Sequence, residues 1–503
     1  MILSLASPFQ RPVCRVAKFR EAEAFDSSAN AAYTMLPWRF TALDGNDRYV
    51  ATNLVGEHLV LDRETIGKFA RQELAPADPA YDELKARHFL IDDDTNVAVD
   101  LLALKVRTKL APLANFTALH IFVVTLRCEH SCPYCQVSRA NNDRGEFDMS
   151  RETALKSLDL VFRSPSPALK IEFQGGESLL NLPLIKLIVE EAKRRNETAR
   201  RELAFVVATN LAVLDDEALA FCKAENILVS TSLDGPAELH NANRPRPGRD
   251  SHERAVDGIH RARGVLGHYN VGALMTTTSA SLNQVKAIID EYLRLDFGGI
   301  FLRPLSPYGF AIKTKSYAAY SRERWLEFYF EGLDYIISLN RQGFDFIEHY
   351  AAMVLKKMLT PLQTSYVDLM SPAGIGIAAI VYNYDGTVYA SDESRMLAEM
   401  GDQTFALGNV HRDSFEDIML GDALLEPLTQ SFAGSVPGCS SCAFEPWCGA
   451  DPVFHHATQG DPVGKKPLSA FCTRSMALFR GLITRMEADD DVRALFEKWA
   501  NRA

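Results

Sequence analysis

At 503 residues and 47% apolar content the chain has material for several buried cores, roughly three domains at about 150 residues each. Its 54 basic against 65 acidic residues leave −11, which excludes nonspecific nucleic-acid binding as the main activity, because neutralising phosphates needs a basic surface. No stretch approaches the ~20 apolar residues of a membrane span, so a cytosolic protein is expected, in which nine cysteines stay reduced instead of pairing as disulfides.

After an irregular start, residues 47–61 alternate in the manner of a strand or hairpin, and 63–74 have helical spacing, with Ile66, Phe69 and Ala70 on one face. A second helical pattern, 97–113, leads into the apolar run 118–125, which stops at a cysteine loop. Strands are then expected at 169–174, 203–209, 227–233, 269–277 and 299–305, with amphipathic helix-length segments between them. Six βα units imply a parallel α/β sheet, here a partial (β/α)6 barrel of the TIM type. Two helices, 318–339 and 344–359, follow, and then a hairpin at 375–390 turning through Asn383-Tyr384-Asp385-Gly386. A final helix is expected over 468–495. The basic cluster 193–201 reads as a solvated helix face.

The chemistry-bearing residues gather at the C-terminal ends of the expected strands, the edge where ligands sit in such sheets. They are the cysteines after the first strand, Gly175-Gly176-Glu177 after the second, Thr209-Asn210 after the third, Ser232 and Asp234 on the fourth, and Arg303 on the sixth. Cys128, Cys132 and Cys135 offer three thiolates, one fewer than a cubane cluster or a structural zinc takes. One iron of a cubane would stay open. His130 could instead complete a Cys3His zinc site.

This pattern resembles the radical S-adenosylmethionine (SAM) superfamily, whose signature is C-x3-C-x2-C with an aromatic residue, here Tyr134, before the third cysteine. The resemblance implies a [4Fe–4S] cluster on Cys128, Cys132 and Cys135, whose open iron chelates SAM and whose electron releases a 5′-deoxyadenosyl radical. It further implies that Gly175, Gly176 and Glu177 form the motif beside the methionine amino group, that Ser232 bonds the ribose, and that Arg244 pairs with the SAM carboxylate.

Cys439, Cys442, Cys448 and Cys472 supply the full complement of a closed [4Fe–4S] or zinc site. Their spacing resembles the SPASM extension of radical SAM maturases, but in reduced form. Ser391 and Pro452 stand where thiolates of a further cluster are expected, and 370–380 contains no cysteine. Two clusters in all are therefore expected. Asp392 follows the lost ligand position, where sulfatase-maturing relatives carry a proton-accepting aspartate.

Upstream, the order of elements resembles a winged-helix peptide-recognition module. Leu36-Pro-Trp-Arg-Phe40, Asn53-Leu-Val-Gly-Glu57 and Lys85-Ala-Arg-His-Phe89 resemble the radical SAM maturases of His-Xaa-Ser systems. The expected organisation is an N-terminal α+β module (1–115), the radical SAM partial barrel (116–315), a helical linker (316–365) and a SPASM-like cluster domain (366–503). The resemblance implies a maturase acting on a ribosomally made precursor peptide, with a flavodoxin or ferredoxin as reductant. A radical SAM enzyme of cofactor biosynthesis and a non-catalytic zinc or electron-transfer protein are the competing readings.

Overall fold

The computed structural model describes residues 32–502, apart from 44, 46 and 94–96. Cys14 and the start of the chain lie outside the described residues. The N-terminal module begins with strands β1 (Thr34–Met35), β2 (Trp38–Ala42), β3 (Arg48–Asn53) and β4 (His58–Asp62). The last three form an antiparallel sheet in the order β2-β3-β4. Helix Arg63–Ala70 starts directly at Asp62, whose side chain accepts from the Thr65 amide at 2.8 Å. Helix Pro79–Ala86 opens on a proline, whose missing N–H costs nothing in the first turn. β5 (Leu90–Ile91) returns to pair with β1, closing a small core around Phe69, Leu84, Phe89 and Leu90.

Helix Ala98–Leu110 leads to the main sheet, whose parallel strands are β6 (Leu119–Thr125), β7 (Ala168–Gly175), β8 (Glu202–Ala208), β9 (Leu228–Ser232) and β10 (Val271–Leu274). They lie side by side in the order β10-β9-β8-β7-β6. From Ile121 to Thr125 every residue of β6 is buried, as expected of a parallel strand covered on both faces. On the helix-facing side Phe122, Phe173 and Phe205 stack from strand to strand, with centroids 6.4 Å apart at each step. Each such buried ring stabilises the fold by about 1.5–3 kcal/mol.

The α/β partial barrel is as expected, with one amendment at the sixth strand. Only β11 (Gly299–Ile300) is extended, and it pairs with β12 (Ile347–Glu348), not with β10. The backbone donors that would continue the ladder are committed elsewhere. The Leu302 amide bonds the Glu348 carboxylate, the Arg303 amide turns back to the Phe301 carbonyl, and Pro304 has none. The Arg303 carbonyl still accepts from the Thr277 amide at 3.1 Å, so its side chain stays at the barrel mouth.

The far side of β6 is taken by a strand from the C-terminal part of the chain. β13 (Ala379–Tyr382) runs parallel to β6, and β14 (Thr387–Tyr389) and β15 (Ala406–Asn409) extend the sheet to eight strands. Buried His120 on β6 meets the Tyr382 hydroxyl at 3.1 Å across this seam. The expected hairpin is thus present, and it is also part of the barrel sheet.

The helices after the barrel differ at their ends for local reasons. Helix Arg322–Arg341 starts at Ser321, whose hydroxyl caps the Arg324 amide. Residues expected to open the next helix instead form β12, and Glu348 then caps helix His349–Leu359. The C-terminal helix is broken in two, Ala470–Ala488 and Asp490–Arg502, because the Asp489 side chain accepts from the Asp491 and Val492 amides and starts a new helix. Among the described residues no helix is long and apolar enough to cross a membrane.

Candidate functional site

The cysteine loop leaves β6 at Thr125 and is fixed before any metal is considered. Arg127, 4% exposed, makes a two-pronged ion pair with Asp148 at 2.7 and 3.0 Å and donates to the Leu180 carbonyl. The Ser131 amide bonds the Pro245 carbonyl, and the Cys135 carbonyl accepts from the Phe310 amide. Gly309 permits that last contact: its φ is +61°, and a Cβ there would lie 2.5 Å from the Gln136 carbonyl oxygen.

The two glycines at the end of β7 have a packing reason of their own. Gly175 has φ +150°, and a Cβ would stand 1.9 Å from the Thr125 carbonyl oxygen; one on Gly176 would meet the Leu126 and Arg127 carbonyls at 2.4 Å. The strand end is pressed against the base of the cysteine loop, and the Gly176 and Glu177 amides bond Thr125 and Arg127. Only glycine fits both positions. Glu177 is fully buried and ties the second strand end to the third, accepting from Thr209 Oγ1 at 2.7 Å and the Asn210 amide at 2.8 Å. Burial, and then the charge of Glu129, push its carboxyl up to about 7.

These elements surround a cavity of about 230 Å³. Cys128, Cys132, Tyr134 and Cys135 line it together with Gly175, Gly176, Asn210, Ser232, Arg244, Arg303 and Asp392. Of the residues singled out at the first four strand ends, the structure brings all to this one wall except Glu177 and Asp234, which are fully buried behind it. The bare thiols of Cys128 and Cys132 are partly buried, and desolvation pushes Cys132 up to about 12 and raises Cys128 as well. As free groups they hold their protons, which a metal would displace.

Arg244 does not face the cavity as an unpaired cation. Its Nε and Nη2 clamp Asp234 at 3.0 and 3.1 Å, and Tyr134 donates to the same carboxylate at 2.6 Å. The guanidinium also lies over the Tyr134 ring. Asp234, with no exposed surface, accepts from the Thr276 amide as well. Burial alone would raise its carboxyl, but Arg244 and His240 hold it below the usual range. Sequence reasoning named Asp234 without giving it this hub role. The available signal was an acidic residue inside a strand-end run, which must find a partner if buried.

His130 is buried and its Nδ1 lies 2.9 Å from Glu129 and 3.0 Å from Asn210. The ligand atoms of Cys128, Glu129 and His130 fall within 4.8 Å of one another. Asp392 is the first residue of helix Asp392–Ala398, and Ser391, where the SPASM resemblance expects a further thiolate, is its N-cap in a reciprocal capping box. Pro452 likewise opens helix Pro452–Gln459. Arg395 of the first of these helices, 1% exposed, reaches the Val137 carbonyl just past the cysteine loop.

The four C-terminal cysteines are partly buried and do not line this cavity. They lie close enough to feel one another's charge, and burial pushes Cys448 up to about 12 and Cys439 to about 11. Cys472 sits in the first turn of helix Ala470–Ala488, and burial pushes its thiol up. Buried Lys357 donates to the Cys448 carbonyl at 2.8 Å. The N-terminal module docks here: Trp447 Nε1 donates to the Gly56 carbonyl at 2.9 Å, Thr52 to Ala443 at 2.6 Å, and Arg39 to Ser440 at 2.7 Å. Of the three upstream motifs, the one at 36–40 contributes β2 and the one at 53–57 the β3–β4 turn, and both meet the cysteine segment, whereas the one at 85–89 ends helix Pro79–Ala86 and places Phe89 in the module's own core.

Residues 122–290 match the family model "Radical SAM superfamily". A cysteine-type anaerobic sulfatase-maturating enzyme of Clostridium perfringens is 25% identical over 223 residues, 41% of this chain and 59% of that one. The chain spans only 53% to 59% of the length of such curated relatives. Among solved structures, native anSMEcpe with bound AdoMet superposes with a TM-score of 0.60 at 18% identity, covering 76% of this chain and 99% of that one. Streptococcus suis SuiB bound to precursor peptide SuiA gives 0.51 at 15% identity, covering 86% and 98%. The two superpositions establish a fold shared with SPASM-type maturases, and the family implies a [4Fe–4S] cluster and SAM. With its three-cysteine loop, double-glycine strand end and parallel sheet in one frame, the chain carries a radical SAM domain over residues 122–290.

Proposed function

We propose that the chain is a radical SAM maturase that modifies a ribosomally made peptide or protein. The observation that carries this reading is the single cavity wall shared by Cys128, Cys132, Cys135, the Gly175-Gly176 backbone, Ser232 and Arg244. The donor set fits the implied group: three soft thiols on one loop, one short of a full cubane set, beside a cavity. Bound there, a [4Fe–4S] cluster and SAM supply one-electron reductive cleavage of the sulfonium and a 5′-deoxyadenosyl radical.

The chain's own residues bind and orient. Asp234 spends Nε and Nη2 of Arg244 and so fixes the guanidinium, leaving Nη1 to pair with the SAM carboxylate. Ser232 offers its hydroxyl to the ribose. The exposed edges of Gly175 and Gly176 serve the methionine amino group. Asp392, on the same wall, is the carboxylate placed to take a proton released in the cavity. Cys439, Cys442, Cys448 and Cys472 hold a second cluster, with a flavodoxin- or ferredoxin-type protein as the electron source.

The peptide reading rests further on the module at 1–115, whose strand β2 forms one edge of its sheet and has β3 on one side only among the described residues. An extended leader can add to such an edge by strand pairing. The narrower assignment is to the His-Xaa-Ser systems, with a partner peptide carrying those repeats, and it rests on the three upstream motifs. The division into module, barrel (116–315), linker (316–365) and cluster domain (366–503) belongs to the same proposal. Anaerobic reconstitution with SAM and dithionite should yield 5′-deoxyadenosine, and mass spectrometry should find a mass change in a co-expressed His-Xaa-Ser peptide. A fully iron-loaded protein that releases no 5′-deoxyadenosine would overturn the enzymatic reading; release without any change in the peptide would overturn the narrower one.

A further inference from the structure

Next to the main cavity lies a second, narrow chamber of about 20 Å³, room for one or two waters. Carboxyls reach it from three elements: Asp368 from the segment after helix His349–Leu359, Glu393 from the second position of helix Asp392–Ala398, and Asp451 from the cap of helix Pro452–Gln459. Arg303 and Arg474 supply two positive charges, and the hydroxyls of Ser306, Tyr308, Tyr350 and Tyr366 complete the polar lining. Phe301, Leu305 and Phe454 seal it with apolar surface.

The polar groups of this chamber do not satisfy one another. Tyr308 is 1% exposed, and neither its hydroxyl nor Arg474 Nε has a hydrogen-bond partner among the described residues. Arg303 Nη2 stands 3.8 Å from Glu393, beyond hydrogen-bond length. Asp451 is held at φ +35°, a strained conformation for a residue with a side chain, and its carboxylate caps the Phe454 amide at 3.0 Å. A water between these groups would satisfy donors that otherwise cost about 1–3 kcal/mol each. A single metal ion fits less well, because these carboxylates do not converge within 4.8 Å as the ligand atoms of Cys128, Glu129 and His130 do.

Two features connect the chamber to the main cavity. Arg303 lines both, and Asp392 on the cavity wall is followed directly by Glu393 on the chamber wall. Three carboxylates against two guanidiniums leave one excess negative charge in a buried space, which favours retention of one proton. We propose that Asp368, Glu393 and Asp451 form a proton-relay site, in which a water-bridged carboxylate takes the proton that Asp392 receives in the adjoining cavity. The Asp392 O–H bond breaks, an O–H bond forms on a chamber carboxyl, and no electron moves. The inference rests on the role given to Asp392 in the proposed function, and the three carboxyls exchange protons with the cavity through that residue.

The test is an infrared pH titration of the full-length protein without cluster or SAM. The parent should show a buried carboxylic-acid carbonyl band that disappears around pH 7, since burial, then Asp368 and Asp392, push Glu393 up to about 7. Glu393→Gln should remove one component of that absorption, the remainder belonging to Glu177, which burial also raises to about 7. Asp392→Asn should lower the midpoint of the Glu393 component, because loss of the neighbouring negative charge eases ionisation, and Tyr308→Phe should shift it through the hydroxyl that faces the carboxyls. No protonated carboxyl near neutrality, or a midpoint indifferent to Asp392→Asn and Tyr308→Phe, would overturn the relay. The titration needs no SAM cleavage, so it fails or succeeds independently of the deoxyadenosine assay that tests the enzymatic reading.

Discussion

The two thiol groups of this chain are built in contrasting ways. Cys128, Cys132 and Cys135 hang from the end of one strand, on a loop held by backbone hydrogen bonds and by the Arg127–Asp148 pair, and they open onto a cavity. Cys439, Cys442, Cys448 and Cys472 come from a turn-rich segment and a helix start, and residues between them, Ala443 and Trp447, bond the docked N-terminal module. Three donors beside open space suit a group that must still bind something. Four donors, partly buried and away from that cavity, suit a group whose coordination is closed. The contrast is one of coordination number and access, since the thiols are chemically alike.

The largest effect should come from removing the first group. Cys128→Ala, Cys132→Ala or Cys135→Ala should each abolish reductive SAM cleavage, measured as 5′-deoxyadenosine. The parent should hold about eight irons, two cubanes, and the triple variant about four, with a remaining spectrum indifferent to SAM. Twelve irons in the parent would refute the reading of Ser391 and Pro452 as lost ligand positions. Four irons with one zinc would make the C-terminal group structural.

Next in size is the ion pair behind the cavity wall. Breaking a buried pair by removing one partner costs roughly 3–5 kcal/mol, because the other charge stays behind. Asp234→Ala should therefore destabilise the apoprotein to urea by about that amount and also weaken SAM binding, since Arg244 loses its clamp. Arg244→Ala should keep its iron and bind SAM weakly. An Asp234→Ala protein with parental stability and SAM affinity would sink the positioning role.

Much of the barrel was legible because parallel strands buried on both faces read as apolar runs, and 118–125, 203–209 and 227–233 are such runs. The sixth strand was not, because periodicity says nothing of where backbone amides spend their bonds: Leu302 gives its own to Glu348, a residue 46 positions away. The break at Asp489 was written locally in the run Asp489-Asp490-Asp491, a cap signal inside an otherwise helical pattern. The glycines were found, but their main contact is the cysteine loop's backbone, a long-range approach that a motif cannot reveal. Asp234 likewise needed the fold, since Tyr134 and Arg244 reach it from 100 positions before and 10 after.

A smaller effect should separate the two regions by pH. Beside the first site, Glu177 has a folded-state pKa raised to about 7, so between about 4.5 and 7 the native state holds a proton that the unfolded chain has released. Its contribution to stability is complete below that window and is lost as pH rises through it. Beside the second, burial, then Arg87 and Arg493, lower His58 to about 4, so between about 4 and 6.5 the unfolded chain binds the extra proton. Stability from His58 therefore rises with pH across that interval. Each is worth up to about 3 kcal/mol at about 1.36 kcal/mol per pKa unit. Urea melts of the apoprotein should show the falling limb flatten in Glu177→Gln and the rising limb flatten in His58→Phe. Unchanged limbs in both would mean that neither group titrates as its burial dictates.

The last prediction concerns communication between the N-terminal module and the second thiol group alone. Gly56 sits in the turn between β3 and β4 at φ +86°, and a Cβ there would lie 2.5 Å from Trp447 Nε1, the atom that now donates to the Gly56 carbonyl. Trp447 is fully buried between Phe444, Phe479 and His58, and Cys448 follows it in the chain. Gly56→Ala must shift either the turn or the indole, at a cost of about 1–3 kcal/mol for overpacking, to which the left-handed φ adds. A displaced indole moves the backbone at Cys448, so iron at the C-terminal site should be lost faster to a chelator. The SAM-responsive iron, on a loop braced by Arg127 and Gly309, should be retained at the parental rate. Equal loss from both sites would show that the two groups share one cooperative frame, and the contrast between them would then be one of access only.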